Sequence, residues 1–431
     1  MDLDLGPEIE QFRHELRKWI TEHAPPALAD LIDWRMVTTP GGGYRAKGLA
    51  EALQHPAYAE WERALAGARL ICPQWPAEFG GQGLDAVRIA VLNEEFHRAG
   101  VPRVNRGMGE ALVGPSVIVH GTPEQREHFL PRIISGEDVY CQGFSEPDHG
   151  SDLAAVQTRG EVDGDEIVIT GQKLWTSGAG RATMMFVLCR TDPLAPKHQG
   201  LSYVLIPFNV PEVRYRAIRQ LSGAAEFYED FLDGVRVPLF NVIGGLNHGW
   251  RVAMTTLGHE RGGFATVQHL RYEREFWELV ETARRNGRIG DPLVRQQLAQ
   301  AYTSVQLMRF TGLRTLAQVA AGRPPGPEAS INKLFWSEYH KRLGEIAMGI
   351  VGAHGLLRPE GDGYPTSPWQ NVFLSSRAGT IYSGTSEIQR TIIGERALGL
   401  PKETQPKEPQ PKETQPKETQ SKAPGEPGVS T

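Results

Sequence analysis

The chain has 431 residues, 40% of them apolar, with a formal net charge of −5 and three cysteines. That length allows two or three domains around a large buried core, and the acidic balance gives no global positive field to attract nucleic acid. The cysteines Cys72, Cys141 and Cys189 are too far apart for a disulfide framework or a paired metal motif, so no metal site is expected.

Such cysteine usage fits a reducing cytoplasm. No apolar run approaches the ~18 residues of a membrane span. The start, Met1–Leu5, lacks the apolar region of a secretory signal.

In chain order, residues 7–23 are predicted helical, because Ile9, Phe12, Leu16, Trp19 and Ile20 recur at helical spacing. Pro25-Pro26 is expected to stop that helix. Residues 33–48 read as a loop. Gly43 to Gly48 nearly spells a phosphate loop, but Leu49 stands where lysine is required. Trp61–Gly67 reads as helix. The run Gly81-Gln82-Gly83-Leu84-Asp85-Ala86 fits a dinucleotide fingerprint in spacing only. It follows a proline-rich loop and not a strand, so it reads as a turn before a helix. Helical segments follow at about 85–98, 107–120 and 123–134. Thr122-Pro123-Glu124-Gln125 supplies the cap of the last one.

From 138 to 240 the period changes to that of strands. Thr158–Val162 and Glu166–Thr170 alternate around the turn residues Asp163-Gly164-Asp165, which predicts a hairpin. Met184–Cys189, Leu201–Pro207, Val213–Ile218 and Phe227–Val235 are further short strands. After Gly249 the helical period returns, over about 249–285, 291–321, 328–351 and 386–398. Helices, then strands, then helices imply an α+β fold. The expected division is an N-terminal helical domain (1–136), a middle β-domain (137–242), a C-terminal four-helix bundle (243–400) and a tail (401–431). The tail repeats Pro-Lys-Glu-Thr-Gln with no large apolar residue through 422, so disorder is expected there.

Two hydroxyl-rich stretches flank the hairpin. One is Tyr140-Cys141-Gln142-Gly143-Phe144-Ser145-Glu146-Pro147-Asp148-His149-Gly150-Ser151-Asp152. The other is Thr170-Gly171-Gln172-Lys173-Leu174-Trp175-Thr176-Ser177-Gly178. Read as two loops leaving neighbouring strands, they suit a planar polar ligand.

This pattern resembles the acyl-CoA dehydrogenase family over about residues 7–400. The resemblance implies FAD as cofactor, an acyl-CoA substrate and electron-transfer flavoprotein as acceptor. It implies a homo-oligomer, typically a tetramer, or a heterotetramer with a paralogous chain. By the same resemblance, Ser145 meets the flavin pyrimidine edge, Ser177 reaches N5, Trp175 packs beside the ring, and Ser151 contacts the CoA arm.

The reaction needs a base near the α-carbon and a hydride acceptor, which no side chain provides. The family places its carboxylate at one of two positions. In the C-terminal loop, Tyr382-Ser383-Gly384-Thr385-Ser386-Glu387, serine stands at the acid position, and serine alone is no base. On the first long helix after the β-domain the run is Leu257-Gly258-His259-Glu260-Arg261. There Glu260 lies on the apolar stripe of Trp250, Ala253, Leu257, Phe264 and Val267, where a carboxylate is costly unless paired or functional. Glu260 is therefore the expected base, with Arg261 beside it in an ion pair or near substrate.

Tyr382 and the backbone of Ser383 are expected at the thioester, and Thr385 and Glu387 near the FAD phosphates or ribose, where the charge of Glu387 opposes the assignment. Arg288 is expected to reach a pyrophosphate across subunits. Gly349 and Ala353 depart from the segment that a neighbouring subunit lends to FAD. The resemblance therefore leaves three alternatives open: a non-catalytic or half-site partner subunit, a flavin oxidase or oxygenase, and a DNA-binding relative, the last opposed by the acidic balance.

Overall fold

The computed structural model describes residues 6–32, 34, 49–262, 268–321, 323, 326, 327, 329–357 and 367–402. Residues 33 and 35–48 of the loop expected over 33–48, Phe264, Val267, the side chains of Glu260 and Arg261, and the repeats of the tail from 403 onward lie outside the described residues.

The N-terminal part is helical: α1 (Pro7–His23), α2 (Pro26–Leu31), α3 (Leu49–Gln54), α4 (Pro56–Gly67), α5 (Ala86–Ala99), α6 (Gly114–His120) and α7 (Pro123–Ser135). Pro25-Pro26 ends α1 but does not end helix, because proline is tolerated in the first turn and Pro26 opens α2. The fingerprint-like glycines form a turn, and Asp85 then caps α5 by accepting from the N–H groups of Val87 and Arg88. Thr122 and Gln125 form the reciprocal capping box of α7.

Eight strands follow: β1 (Tyr140–Gly143), β2 (Arg159–Asp163), β3 (Glu166–Ser177), β4 (Met184–Arg190), β5 (Leu201–Pro207), β6 (Val213–Ile218), β7 (Phe227–Pro238) and β8 (Val242–Ile243). Their order is β6-β7-β3-β2-β4-β5-β8, with β1 parallel to β4. A single parallel pair, Arg159 with Arg190, joins β2 to β4. The sheet therefore folds into two leaves around a core that includes Ile167, Ile169, Met185, Val187, Val204 and Leu232.

Two expectations need correction. The stretch Gly171–Ser177 is not a loop: β3 runs unbroken to Ser177, because β7 supplies a full-length partner. Nor are β1 and β3 ladder neighbours. They belong to different leaves and meet where the Leu174 N–H donates to the Ser145 carbonyl at 2.9 Å.

The C-terminal part holds α8 (Gly249–Gly262), α9 (Gln268–Arg285), α10 (Pro292–Ala320), α11 (Ala329–Val351), α12 (Pro368–Gly379) and α13 (Ser386–Ile392). Helix α12 was not anticipated. Its signal is a Ser367–Gln370 capping box with Pro368 at the first position. The start of α8 presses onto β5 so closely that a Cβ on Gly249 would lie 2.4 Å from the Ser202 carbonyl carbon. Val252 and Ala253 of α8 join a core shared with Val117 of α6 and Tyr203 of β5. Polar contacts also span the helical parts at that junction: Ser116 Oγ lies 2.8 Å from Thr256 Oγ1, and His120 Nε2 lies 2.8 Å from Thr255 Oγ1. Helix α8 is thus wedged between all three parts of the molecule.

Candidate active site

The site begins at the end of β3. Register with β7 runs Lys173 to Asp230 and Leu174 to Glu229, then skips to Thr176 with Tyr228. Trp175 is the extra residue of this bulge. It sits at φ 63°, a region that non-glycine residues seldom adopt. The bulge turns the indole outward, 55% exposed, with Phe227 edge-on at 6.3 Å between centroids. Ser177 follows, half-buried, and Ser145 is half-buried on the loop after β1. The hydrogen bond from Leu174 to the Ser145 backbone brings these two stretches together. Ser151 is exposed farther along that loop.

What holds the stretches together is a pair that sequence reasoning quoted without giving it a role. Lys173 is fully buried, and its ammonium donates to the carbonyls of Phe144 at 3.2 Å and Leu188 at 2.8 Å and to Glu146 at 2.9 Å. Glu146 also accepts the N–H groups of Gln157 and Thr158. Burial alone would raise the Glu146 carboxyl, but the Lys173 charge and these donors outweigh it, and the net effect is downward. The signal was available: Lys173 continues the inward alternation of Ile167 and Ile169, where only a paired cation is tolerated.

A second buried carboxyl lies on the other side of β3. Asp230 accepts from the Thr176 hydroxyl, and among the described residues no cation pairs with it. Burial pushes its carboxyl up to about 7.

The C-terminal part contributes the loop after α12. Ser383 stands at φ 52°, and its carbonyl accepts from Gln389 Nε2 at 3.0 Å. Tyr382 is half-buried against Trp336, with centroids 6.2 Å apart. Thr385 caps α13 by accepting the Ile388 N–H, and Glu387 is exposed, 3.8 Å from Arg390. Behind the loop, Arg271 and His340 clamp the buried Glu275 at 3.0 Å each. Burial opposes ionisation there, but the contacts with His340 and Arg271 outweigh it and hold the Glu275 carboxyl at about 2. Sequence reasoning missed this triad, whose outermost members, Arg271 and His340, lie far apart in sequence and on different helices, α9 and α11. Arg288 is exposed in the turn before α10 and pairs with Asp291 of the same chain at 3.0 Å. Glu260 falls in the last turn of α8, one turn beyond Thr256 at the three-part junction.

An outward indole flanked by two half-buried hydroxyls, on a rigid strand end, fits an isoalloxazine ring. It offers an apolar face and hydrogen-bonding edges without any fixed charge on the platform. Among the described residues no cluster of His, Cys, Asp or Glu could hold a metal, and no helix is long and apolar enough to cross a membrane.

Fold and platform together define a flavoprotein of helical–sheet–helical build, and the comparisons say which. Three family models match: the acyl-CoA dehydrogenase N-terminal domain over 44–137, the middle domain over 141–230 and the C-terminal domain over 247–398. The chain belongs to the acyl-CoA dehydrogenase family, and is an FAD-dependent oxidoreductase acting on CH–CH bonds. It is 42% identical over 402 residues to acyl-CoA dehydrogenase IpdE1 of Mycobacterium tuberculosis, covering 92% of this chain and 99% of that one.

Among solved structures it is similar to the Tcur3481-Tcur3483 steroid ACAD, with 32% identity, a TM-score of 0.76, and coverage of 94% and 100% of the two chains. The ChsE4-ChsE5 complex of Mycobacterium tuberculosis follows at 27% identity and a TM-score of 0.72, covering 94% and 100%.

Proposed function

We propose that the chain dehydrogenates the α,β carbon–carbon bond of a bulky acyl-CoA thioester, with the Glu260 carboxylate removing the α-proton. The observation that carries this reading is the bulge that turns Trp175 outward beside Ser177 and Ser145. Trp175 gives the cofactor ring an apolar neighbour, and the Ser145 and Ser177 hydroxyls donate to its edges. When bound there, FAD supplies the acceptor for the hydride that leaves the β-carbon.

Helix α8 supports Glu260 as base, because the helix that carries it packs between three parts of the fold. The C-terminal loop has no acid to compete, and Ser383 contributes backbone alone. Tyr382 walls the same side. Arg261, next to the base in sequence, serves substrate through its charge, and Ser151 serves the CoA arm from its exposed loop. Thr385 and Glu387 act first as the cap of α13 and the partner of Arg390. A bulky, steroid-type acyl group is favoured by likeness to the steroid enzyme. Electron-transfer flavoprotein is the proposed acceptor.

A second reading concerns assembly: the site is completed by a different, related chain. It is favoured by likeness to the ChsE4-ChsE5 complex and by the apolar side chains that the bundle leaves open, Trp277, Tyr302, Leu307 and Phe310. Arg288, already paired within its own chain, and Gly349 accord with a flavin site that is not built from two identical chains.

The test is spectroscopic. The protein is purified alone and with a related chain, flavin is counted per chain, and bleaching is followed with straight, branched and steroid-type CoA esters. Glu260→Gln is expected to retain flavin and to lose bleaching by about 10²–10⁴-fold. Full bleaching in that variant removes Glu260 as the base.

A further inference from the structure

Asp230 is fully buried on β7, yet the only side-chain hydrogen bond it makes among the described residues comes from Thr176. Its second oxygen, Oδ1, is buried without a hydrogen-bond partner. The charged and titratable groups around it come from each packed element. On β3, Lys173 stands directly across the ladder, but its ammonium is turned to Glu146 and two carbonyls. On β6, Tyr215 is the partner in register. On β1 lies the buried thiol of Cys141, which burial first and then Asp230 push up. On β7 itself, Glu229 adds a like charge and is occupied by Arg216 and Gln172. Among the described residues no cation pairs with Asp230.

Thr176 is the residue between Trp175 and Ser177, directly after the register shift. Its hydroxyl is the tie that fixes where β3 resumes pairing after the bulge. We infer that Asp230 is a positioning residue for the flavin platform: by accepting from Thr176 it holds the bulge in the form that presents Trp175 and Ser177 to the cofactor ring. The inference rests on the placement of FAD proposed above.

Burial pushes the Asp230 carboxyl up from 3.8 to about 7, so the tie changes charge near neutrality. A ring seated on Trp175 excludes water from the bulge, which favours the neutral acid further. By linkage, flavin affinity must then fall as pH rises through about 7. Glu146, on the loop after β1, has its counter-charge in Lys173 and does not share this response.

The experiment measures FAD affinity by flavin fluorescence, without acyl-CoA, on the flavin-holding chain or complex between about pH 6 and about pH 8. The protein is expected to lose about three- to tenfold in affinity across that interval. Asp230→Asn should give a flat profile. Thr176→Val should weaken binding about three- to tenfold at every pH and keep the slope, since the carboxyl remains.

Trp175→Ala and Ser177→Ala test the underlying placement. If both bind FAD as tightly as the parent, the placement fails, and the inference falls with it. If both weaken binding but Asp230→Asn keeps the slope, only the inference is overturned. Should Asp230→Asn not fold, an unchanged affinity in Thr176→Val overturns it equally.

Discussion

Glu146 and Asp230 are both buried carboxyls held against the last turns of β3, and their surroundings drive them in opposite directions. Glu146 faces a lysine ammonium and two backbone N–H groups, and its carboxyl is held below the usual range. Asp230 faces one hydroxyl, and burial leaves its carboxyl at about 7. Burial is common to the two. What differs is whether the fold supplies a counter-charge, and that decides which carboxyl is a fixed strut and which responds to pH.

The contrast breaks most visibly at Lys173. Replacing it with methionine leaves Glu146 buried and held only by backbone donors. Removing one partner of a buried pair costs about 3–5 kcal/mol. Urea unfolding of Lys173→Met should show a loss of that order, with release of flavin, because the Ser145 loop and β3 come apart. A loss below about 1 kcal/mol would mean that the ammonium is not what joins the two stretches.

The pH dependence of stability sharpens the comparison next. For Asp230 the folded carboxyl lies above its ordinary 3.8. Its favourable contribution is complete below that value and is lost as pH rises toward and through about 7. The full interval corresponds to roughly 4 kcal/mol. Between about pH 5 and about pH 7.5, Asp230→Asn should therefore gain about 2–3 kcal/mol on the parent protein. Glu146 has the reverse sign. Its depressed carboxyl contributes above the ordinary 4.5 and loses that contribution as pH falls through its folded value. Glu146→Gln should thus flatten the acid limb of the stability curve and leave the neutral limb alone. If the two variants altered the same limb, the distinction between strut and switch would fail.

The paired carboxyl was readable from sequence and the unpaired one was not, for a physical reason. Lys173 keeps the alternation of Ile167 and Ile169, so its inward position follows from a period of two. On β7 the alternation slips at Gly234, which stands at φ 74° where the register shifts. Val235 and Val237 are inward after the slip, and Leu232 and Asp230 before it. Counted back from the valines without the bulge, Asp230 would face outward.

The same limit explains the rest. Helix-and-strand order, the caps and the two signatures are local, and they gave the architecture. The meeting of Ser145 with β3 crosses between leaves, and the clamp of Glu275 by Arg271 and His340 crosses helices, so neither leaves a periodic trace.

The smallest expected effect falls on the residue between the two carboxyls. Trp175 is held at φ 63° by the bulge that the Glu146 and Asp230 ties jointly fix. A non-glycine residue there stores about 1–3 kcal/mol of backbone strain. Trp175→Gly relieves it, but glycine brings extra freedom in the unfolded chain that offsets about 0.5–1 kcal/mol. The indole is more than half exposed, so little packing is lost with it. Stability without flavin should therefore stay within about 1 kcal/mol of the parent or rise slightly, while FAD affinity drops about tenfold or more. A stability loss of several kcal/mol, with affinity kept, would make Trp175 a core residue and leave the strand end without a ring to present.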